Sequence, residues 1–167
     1  MTTEAIATLT PPAIGQHWPG QGGIYQGPMP AIGNLPARHL IFSAEAPENL
    51  TWGPYGTKVE GANNRTDGAA NTTAILAHKA AHGGDFPAAE WAAAYTADGH
   101  ADFHLPSQAD LFFASLQPTA LFSLAWHWSS TQGSSDYAFI QSLEYGYSTW
   151  ISKDNGFRVR AVRWIHL

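Results

Sequence analysis

The closing segment, residues 126–167, constrains the fold most. It reads Trp126-His-Trp-Ser-Ser-Thr131, then an alternating run from Tyr137 to Ile151, then Phe157-Arg-Val-Arg-Ala-Val-Arg-Trp-Ile165. Side chains on a strand point alternately to its two faces, so alternation of this kind predicts half-buried strands. Turn residues at Gly133-Ser134-Ser135, Gly146 and Asp154-Asn155-Gly156 divide the run into two hairpin-like strands and a strong terminal strand. Counting by twos puts Phe139 and Leu143 on one face and Ile140 and Trp150 on the other. The rings and hydroxyls gathered here indicate a β-rich domain whose work is binding rather than catalysis.

Upstream the pattern changes. Gly22-Gly-Ile-Tyr-Gln-Gly27 and His39-Leu-Ile-Phe-Ser43 read as short strands able to pair as a hairpin with a long tip. Residues 44–70 are loop-like. Asn71 or Thr72 is positioned to cap a helix running to about Ala81, because a side-chain oxygen there accepts from early helical N–H groups; Gly83-Gly84 ends it. A second helix carries Pro87 in its first turn, where the missing N–H costs nothing, and continues through Ala88–Tyr95 with Trp91 and Tyr95 on one face. Ser107 caps a third helix, Gln108 to Leu116, with Leu111, Phe112 and Leu116 expected on its inner side. Strands, then helices, then strands predict an α+β fold with an antiparallel sheet. Residues 1–20, broken by Pro11-Pro12 and Trp18-Pro19-Gly20, read as an extended arm or attachment segment, leaving 21–167 as one domain.

Composition narrows the function classes. Only 13% of the residues are charged and the net charge is −5, which argues against nucleic acid as a partner. The absence of cysteine removes disulfides, thiolate metal sites and cysteine nucleophiles. No stretch approaches the roughly 20 apolar residues of a spanning helix. The first residues lack the basic and apolar regions of a secretory signal, so the chain is expected to be soluble as made.

Three blocks in order resemble the Lcl C-terminal-like domain family, a C-type-lectin-like family of bacteria and prophages. The first is the helix 88–95 leading into Asp98-Gly-His-Ala-Asp-Phe-His-Leu-Pro106. The second is the helix 107–116. The third is Trp128-Ser-Ser-Thr131 with Tyr137-Ala-Phe139, Gly146 and Val159-Arg-Ala-Val-Arg163. Phe103 and His104 stand where the family usually has Trp and Arg, Asp110 where it often has Glu, and the family's cysteines are missing. The resemblance implies a C-type-lectin-like fold: a twisted antiparallel sheet, two to three short helices, long loops, and paired N- and C-terminal strands, with Val159–Ile165 beside Gly23–Tyr25. It also implies that Trp128 belongs to the core. Together with Asp67-Gly-Ala-Ala-Asn-Thr72 it resembles phage and prophage products. Relatives of this fold that modify sulfatases use cysteine chemistry, which this chain lacks.

Other chemistries find less support in the residues. His78 and His82 are spaced to share a helix face, but the Glu that would follow His78 in a zinc helix is replaced by Lys79 and no third ligand is evident, so no metal is expected. Pro47-Glu-Asn49 only scrambles a lectin calcium triplet. Asp98 is read as a turn former and Asp102 as a buried orienter of backbone or of an arginine; convergence of these two with Glu144 as a glycosidase pair has no support in the spacing. At least one of Arg158, Arg160 and Arg163 is expected to pair with a carboxylate such as Asp102. No catalytic residue and no cofactor is expected. The candidate ligand-binding residues are Trp126, His127, Tyr145, Tyr147, Trp150, Asp154 and Asn155. The expected function is a phage virion component (tail tip, fibre or decoration) held to other virion proteins by the arm and contacting a host glycan or protein receptor as a homo-oligomer. The alternatives are a cell-surface carbohydrate-binding module and a small metal-dependent hydrolase.

Overall fold

The computed structural model describes residues 9–117 and 125–167. Elements follow in the order β1 (His17–Trp18), β2 (Gly23–Met29), β3 (Arg38–Phe42), β4 (Leu50–Thr51), α1 (Gly68–His82), α2 (Pro87–Ala94), α3 (Gln108–Ser115), β5 (Trp126–Gln132), β6 (Tyr137–Ser142), β7 (Ser148–Ser152), β8 (Gly156–Phe157) and β9 (Val162–His166). The architecture is α+β, with three sheets ordered β1-β2-β3-β9, β4-β8 and β5-β6-β7, their strands paired antiparallel. No helix among the described residues is long and apolar enough to cross a membrane.

The terminal strand does not lie beside Gly23–Tyr25. It pairs with β3, Ile41 facing Arg163 and Leu40 facing Trp164, and β3 separates it from β2. Leu40, Ile41 and Phe42 are buried on both faces of the sheet, and a continuous apolar run of that kind belongs at a sheet's centre rather than its edge. Gly23 permits the close approach of β2 to β3, since a Cβ there would stand 2.1 Å from the Phe42 carbonyl oxygen.

The arm expected over residues 1–20 is shorter in the structure. Trp18 in β1 is buried edge-on against Tyr25, centroids 5.3 Å apart, and Gly15 and Gln16 exchange backbone hydrogen bonds with Tyr25. The folded unit therefore begins before residue 20, and residues 1–8 lie outside the described region.

Helix α1 starts earlier than expected. Asp67 caps it by accepting from the Ala70 N–H, while Asn71 and Thr72 are buried along its inner face. Asn71 brackets the Asn64 backbone and donates to Ser130 Oγ at 3.1 Å; Thr72 Oγ1 accepts from Leu105 N–H at 3.0 Å. Their polar atoms thus tie the helix to the loop before it and to the sheet rather than capping it. Helix α2 begins at Pro87, and Trp91 and Tyr95 stack side by side at 5.2 Å. In α3 a reciprocal capping box links Ser107 and Asp110. Leu111 is buried, but Phe112 and Leu116 are exposed. Asp110 and Leu111 are drawn inward, and Phe112, two residues beyond Asp110, falls on the opposite side of a 3.6-residue helix.

The largest core cluster packs Trp52, Trp128, Phe86, Leu105 and Ile75 between the helices and the sheet of β5-β6-β7. Trp128 and Trp52 satisfy their indole N–H groups on the Leu50 and Ser129 carbonyls, at 2.8 and 3.0 Å. A second cluster joins Met29, Leu40, Phe42 and Val162 to Leu111. Between these clusters lies a buried charged group. Arg38 and Asp110, both wholly buried, stand 3.7 Å apart; the guanidinium lies 4.3 Å from the centre of the Trp164 ring and donates to the Pro36 and Thr66 carbonyls. Burial pushes the Asp110 pKa up to about 6, against Ser107 and Arg38, which favour its charge. His104, edge-on to Trp164 at 4.5 Å, is pushed down to about 4 by burial.

Breaking the Arg38–Asp110 pair from one side leaves an uncompensated buried charge. Arg38→Ala is expected to lower unfolding stability by about 3–5 kcal/mol in urea denaturation. The pH response has a definite sign. His104 and the buried His127, also pushed down to about 4, stay neutral in the folded state, so their contribution is complete above about pH 6.5 and is lost as pH falls towards 4. Asp110 acts oppositely, its contribution being lost as pH rises from about 4 to 6. With two histidines against one carboxylate, denaturation midpoints are expected to fall between pH 6.5 and 4, and His104→Gln to flatten that slope.

Candidate binding cleft

The sheet β5-β6-β7 has two unlike faces. Trp128, Ala138 and Ile140 point into the core. Phe139 points to the other side together with Trp150, directly opposite it in the β6–β7 register, with ring centroids 5.3 Å apart. The expected division of Phe139 from Trp150 therefore fails: alternation cannot be counted through the turn at 143–147, which resets which residues share a face. Helix α3 packs over part of this outer face against β6, and among the described residues the remainder is open.

Two adjoining hollows run along the open part. One, of about 520 Å³, is lined by Asn63, Arg65, Gly133, Ser134, Tyr137 and Trp150. The other, of about 420 Å³, lies between the exposed side of α3 and the sheet, lined by Phe112, Phe113, Phe139, Gln141, Ser148 and again Arg65. Arg65 thus stands at the junction of a polar and an apolar half. It is exposed, and among the described residues no carboxylate lies within ion-pair distance of it. Its backbone is fixed, since its carbonyl accepts from Ala109 N–H at 2.9 Å.

The floor of the polar half is a buried network. Gln132 Oε1 accepts from Val59 N–H and from Lys153 Nζ, and Gln132 Nε2 donates to the Val59 carbonyl and Asn63 Oδ1. Lys153 is wholly buried, also donates to the Thr57 carbonyl at 2.7 Å, and lies 4.5 Å from the centre of the Trp52 ring. Burial lowers its pKa to about 8. Trp150 rests on Gly133, where a Cβ would come within 2.6 Å of the indole.

Exposed rings continue beyond both hollows. Tyr145 and Tyr147, each 67% exposed, flank Gly146 with centroids 6.1 Å apart. Tyr55 stands near Asp136, whose negative charge raises the phenol's pKa. The cleft presents flat apolar surfaces beside amide, hydroxyl and guanidinium donors. That combination suits a ligand with planar or ring-shaped apolar faces and hydrogen-bonding edges, such as a sugar or an aromatic side chain.

Of the residues expected to bind, Trp150 lines the cleft and Tyr145 and Tyr147 stand near its end. Trp126 is elsewhere: half-buried, it lines a shallow hollow with Phe157 and the Glu48–Arg158 ion pair. His127 is not on the surface. It is fully buried, its Nδ1 lies 2.9 Å from the Ala125 carbonyl oxygen, and its pKa is lowered by burial and by Arg160. Asp154 and Asn155 are exposed but bind the turn itself, Asp154 accepting from Ser152 Oγ and Asn155 donating twice to the Ser152 carbonyl. Arg65, Asn63 and Phe112 lie outside the closing segment expected to bind, whereas Tyr137 lies within it. Tyr137 carried a signal, its period-two spacing from Phe139; Arg65, in an Asn-rich loop, carried none.

The polar residues weighed for catalysis are engaged separately. Asp98 adopts a left-handed φ of 49° and accepts from Gly22 N–H. Asp102 receives Arg163 Nε at 2.7 Å but is half-exposed rather than buried. Arg158 pairs with Glu48, and Arg160 donates to the Ser43 carbonyl. The His78 and His82 rings lie 4.8 Å apart, and among the described residues no three His, Asp or Glu side chains converge as a metal site.

No family model matches the chain, and no curated protein matches it significantly. Gly133→Ala is expected to push Trp150 off its seat, seen as a shifted Trp150 indole resonance in ¹H–¹⁵N spectra with the core Trp52 and Trp128 resonances unmoved.

Proposed function

We propose that the chain is a non-enzymatic C-type-lectin-like domain serving as a structural component of a phage virion, and that it holds a host-surface receptor or a neighbouring subunit in the cleft between α3 and β7. The observation that carries the binding half is the gathering of exposed rings at one place. Tyr137, Trp150 and Phe112 line the cleft, and the exposed Tyr145 and Tyr147 flank Gly146 at the border of its apolar half. Aromatic residues in such positions dominate recognition energies, because a large rigid surface is desolvated with little loss of side-chain entropy.

The lectin-like half rests on the ordered motifs, from the Asp98–Pro106 segment to Val159–Arg163. The α+β architecture with antiparallel sheets is compatible with it, although β1 and β9 stand at opposite edges of their sheet rather than paired. The virion assignment rests on the resemblance to phage and prophage products.

Trp150→Ala combined with Tyr147→Ala tests the receptor role. Particle adsorption to host cells is expected to fall at least tenfold, in line with the roughly 2 kcal/mol carried by a central aromatic contact. Unchanged adsorption by stable particles assigns the protein to decoration instead, and absence of the protein from purified particles removes the virion reading.

A further inference from the structure

The strand β7 is the outer strand of its sheet, and the hydrogen-bond pattern shows which of its backbone groups face outwards. Ser142 N–H donates to the Tyr147 carbonyl at one end of the β6–β7 ladder, and Lys153 N–H donates to the Asp136 carbonyl at the other, with no register shift between. In an antiparallel ladder the bonded pairs alternate with unbonded ones. The bonded pairs are therefore 142/147, 140/149, 138/151 and 136/153. The Tyr137 carbonyl confirms the parity, since it turns the other way and accepts from Gly133 on the β5 side. It follows that the N–H and C=O of Ser148, Trp150 and Ser152 point away from β6. The Ser152 carbonyl is taken by Asn155, and the Trp150 carbonyl has only Thr149 Oγ1 at 3.5 Å. Among the described residues, Ser148 and Trp150 remain as an open pair of donors and acceptors.

Open strand edges are normally protected by a lysine, a proline, a bulge or a covering segment. Ser148-Thr149-Trp150-Ile151-Ser152 contains no charge and no proline, and Ser148, Thr149 and Trp150 are all exposed. We propose that β7 pairs antiparallel with β7 of a second copy of this chain about a two-fold axis at Thr149, joining two β5-β6-β7 sheets into one of six strands. The edge is self-complementary in this register. Ser148 meets Trp150 of the second copy and Trp150 meets its Ser148, so four hydrogen bonds use all the open groups of both residues. Centring the axis on Trp150 would instead require the Ser152 carbonyl, already occupied.

The side chains agree with the same register. Tyr147, 67% exposed, comes opposite the half-buried Ile151 of the second copy, an aromatic and β-branched pairing that favours strand association. In a chain of net charge −5, an uncharged edge is also where two copies repel each other least. Such an isologous contact closes at two subunits. It sets the two clefts side by side, because Trp150 lies both on this edge and in the cleft. The pairing does not depend on what the cleft binds.

The test uses the whole protein. Sedimentation velocity at about 100 µM is expected to give twice the chain mass of 18.0 kDa, and Thr149→Lys, which sets two like charges face to face, to give the single-chain mass with an unchanged far-ultraviolet spectrum. Thr149→Cys provides an independent readout. Directly opposed unbonded residues have Cα atoms about 4.5 Å apart, within disulfide range, and the chain has no other cysteine. Mild oxidation is expected to cross-link Thr149→Cys at least tenfold faster than Tyr145→Cys, an exposed control on the neighbouring turn. A monomeric wild type, a dimer that survives Thr149→Lys, or equal cross-linking rates would each overturn the proposal. Uptake of a different protein's strand on this edge by a monomeric chain would overturn it too.

Discussion

The arrangement depends on the buried contact between Arg38 and Asp110. Arg38 belongs to β3, the centre of the main sheet; Asp110 belongs to the first turn of α3 and closes its capping box with Ser107. The same guanidinium lies over Trp164 of β9 and donates to the Thr66 carbonyl in the loop before α1. One side chain therefore fixes four segments that are distant in sequence. A buried ion pair is not a strong source of net stability, since desolvation offsets most of the attraction. Its effect is specificity: with Asp110 held inward, α3 has one permitted rotation, and Phe112 must face out. With Thr66 held, Arg65 has one permitted position beside the hollows. Both walls of the cleft thus follow from a contact that no ligand touches.

The second determinant is the asymmetry of the β5-β6-β7 sheet. Its inner face is sealed by Trp128 and Trp52, each with its indole N–H satisfied by a backbone carbonyl, and by the Gln132–Lys153 network below the polar hollow. Among the described residues, its outer face is covered only where α3 reaches. What is left uncovered is aromatic, and it ends at an uncharged strand edge. A surface of this kind is costly to keep in water unless something else covers it. The ligand reading and the β7 pairing each draw on that uncovered surface, one through the face and the other through the edge.

Local signals were legible in the sequence and long-range ones were not. Pro87 and Ser107 mark the starts of α2 and α3, because helix-end signals lie within a turn of the helix they open. The turns at Gly133, Gly146 and Asp154-Asn155-Gly156 were equally local. Asp67 was missed as the α1 cap because Asn71 and Thr72 have the same capping chemistry; only the tertiary contacts of Asn71 with Asn64 and Ser130 show that they lie within the helix. The place of β3 between β2 and β9 is a pairing choice, and periodicity carries no pairing information. At the cleft, the aromatic cluster of the sequence contains the lining residue Trp150 and the exposed Tyr145 and Tyr147, whereas His127, alike in sequence context, is buried. Arg65 lies more than 80 residues before Trp150, and nothing short of the fold brings them together.

Use of the cleft between α3 and β7 as the binding surface is open to a direct test. Hydroxyl-radical footprinting of the protein, free and bound to host-cell envelopes, tests it directly by reading the oxidation of each exposed ring. Protection of Tyr137, Trp150 and Phe112, with the exposed Leu9 and Leu167, which line neither hollow, unchanged, is the predicted result. Binding that leaves those three rings as reactive as in the free protein would contradict it.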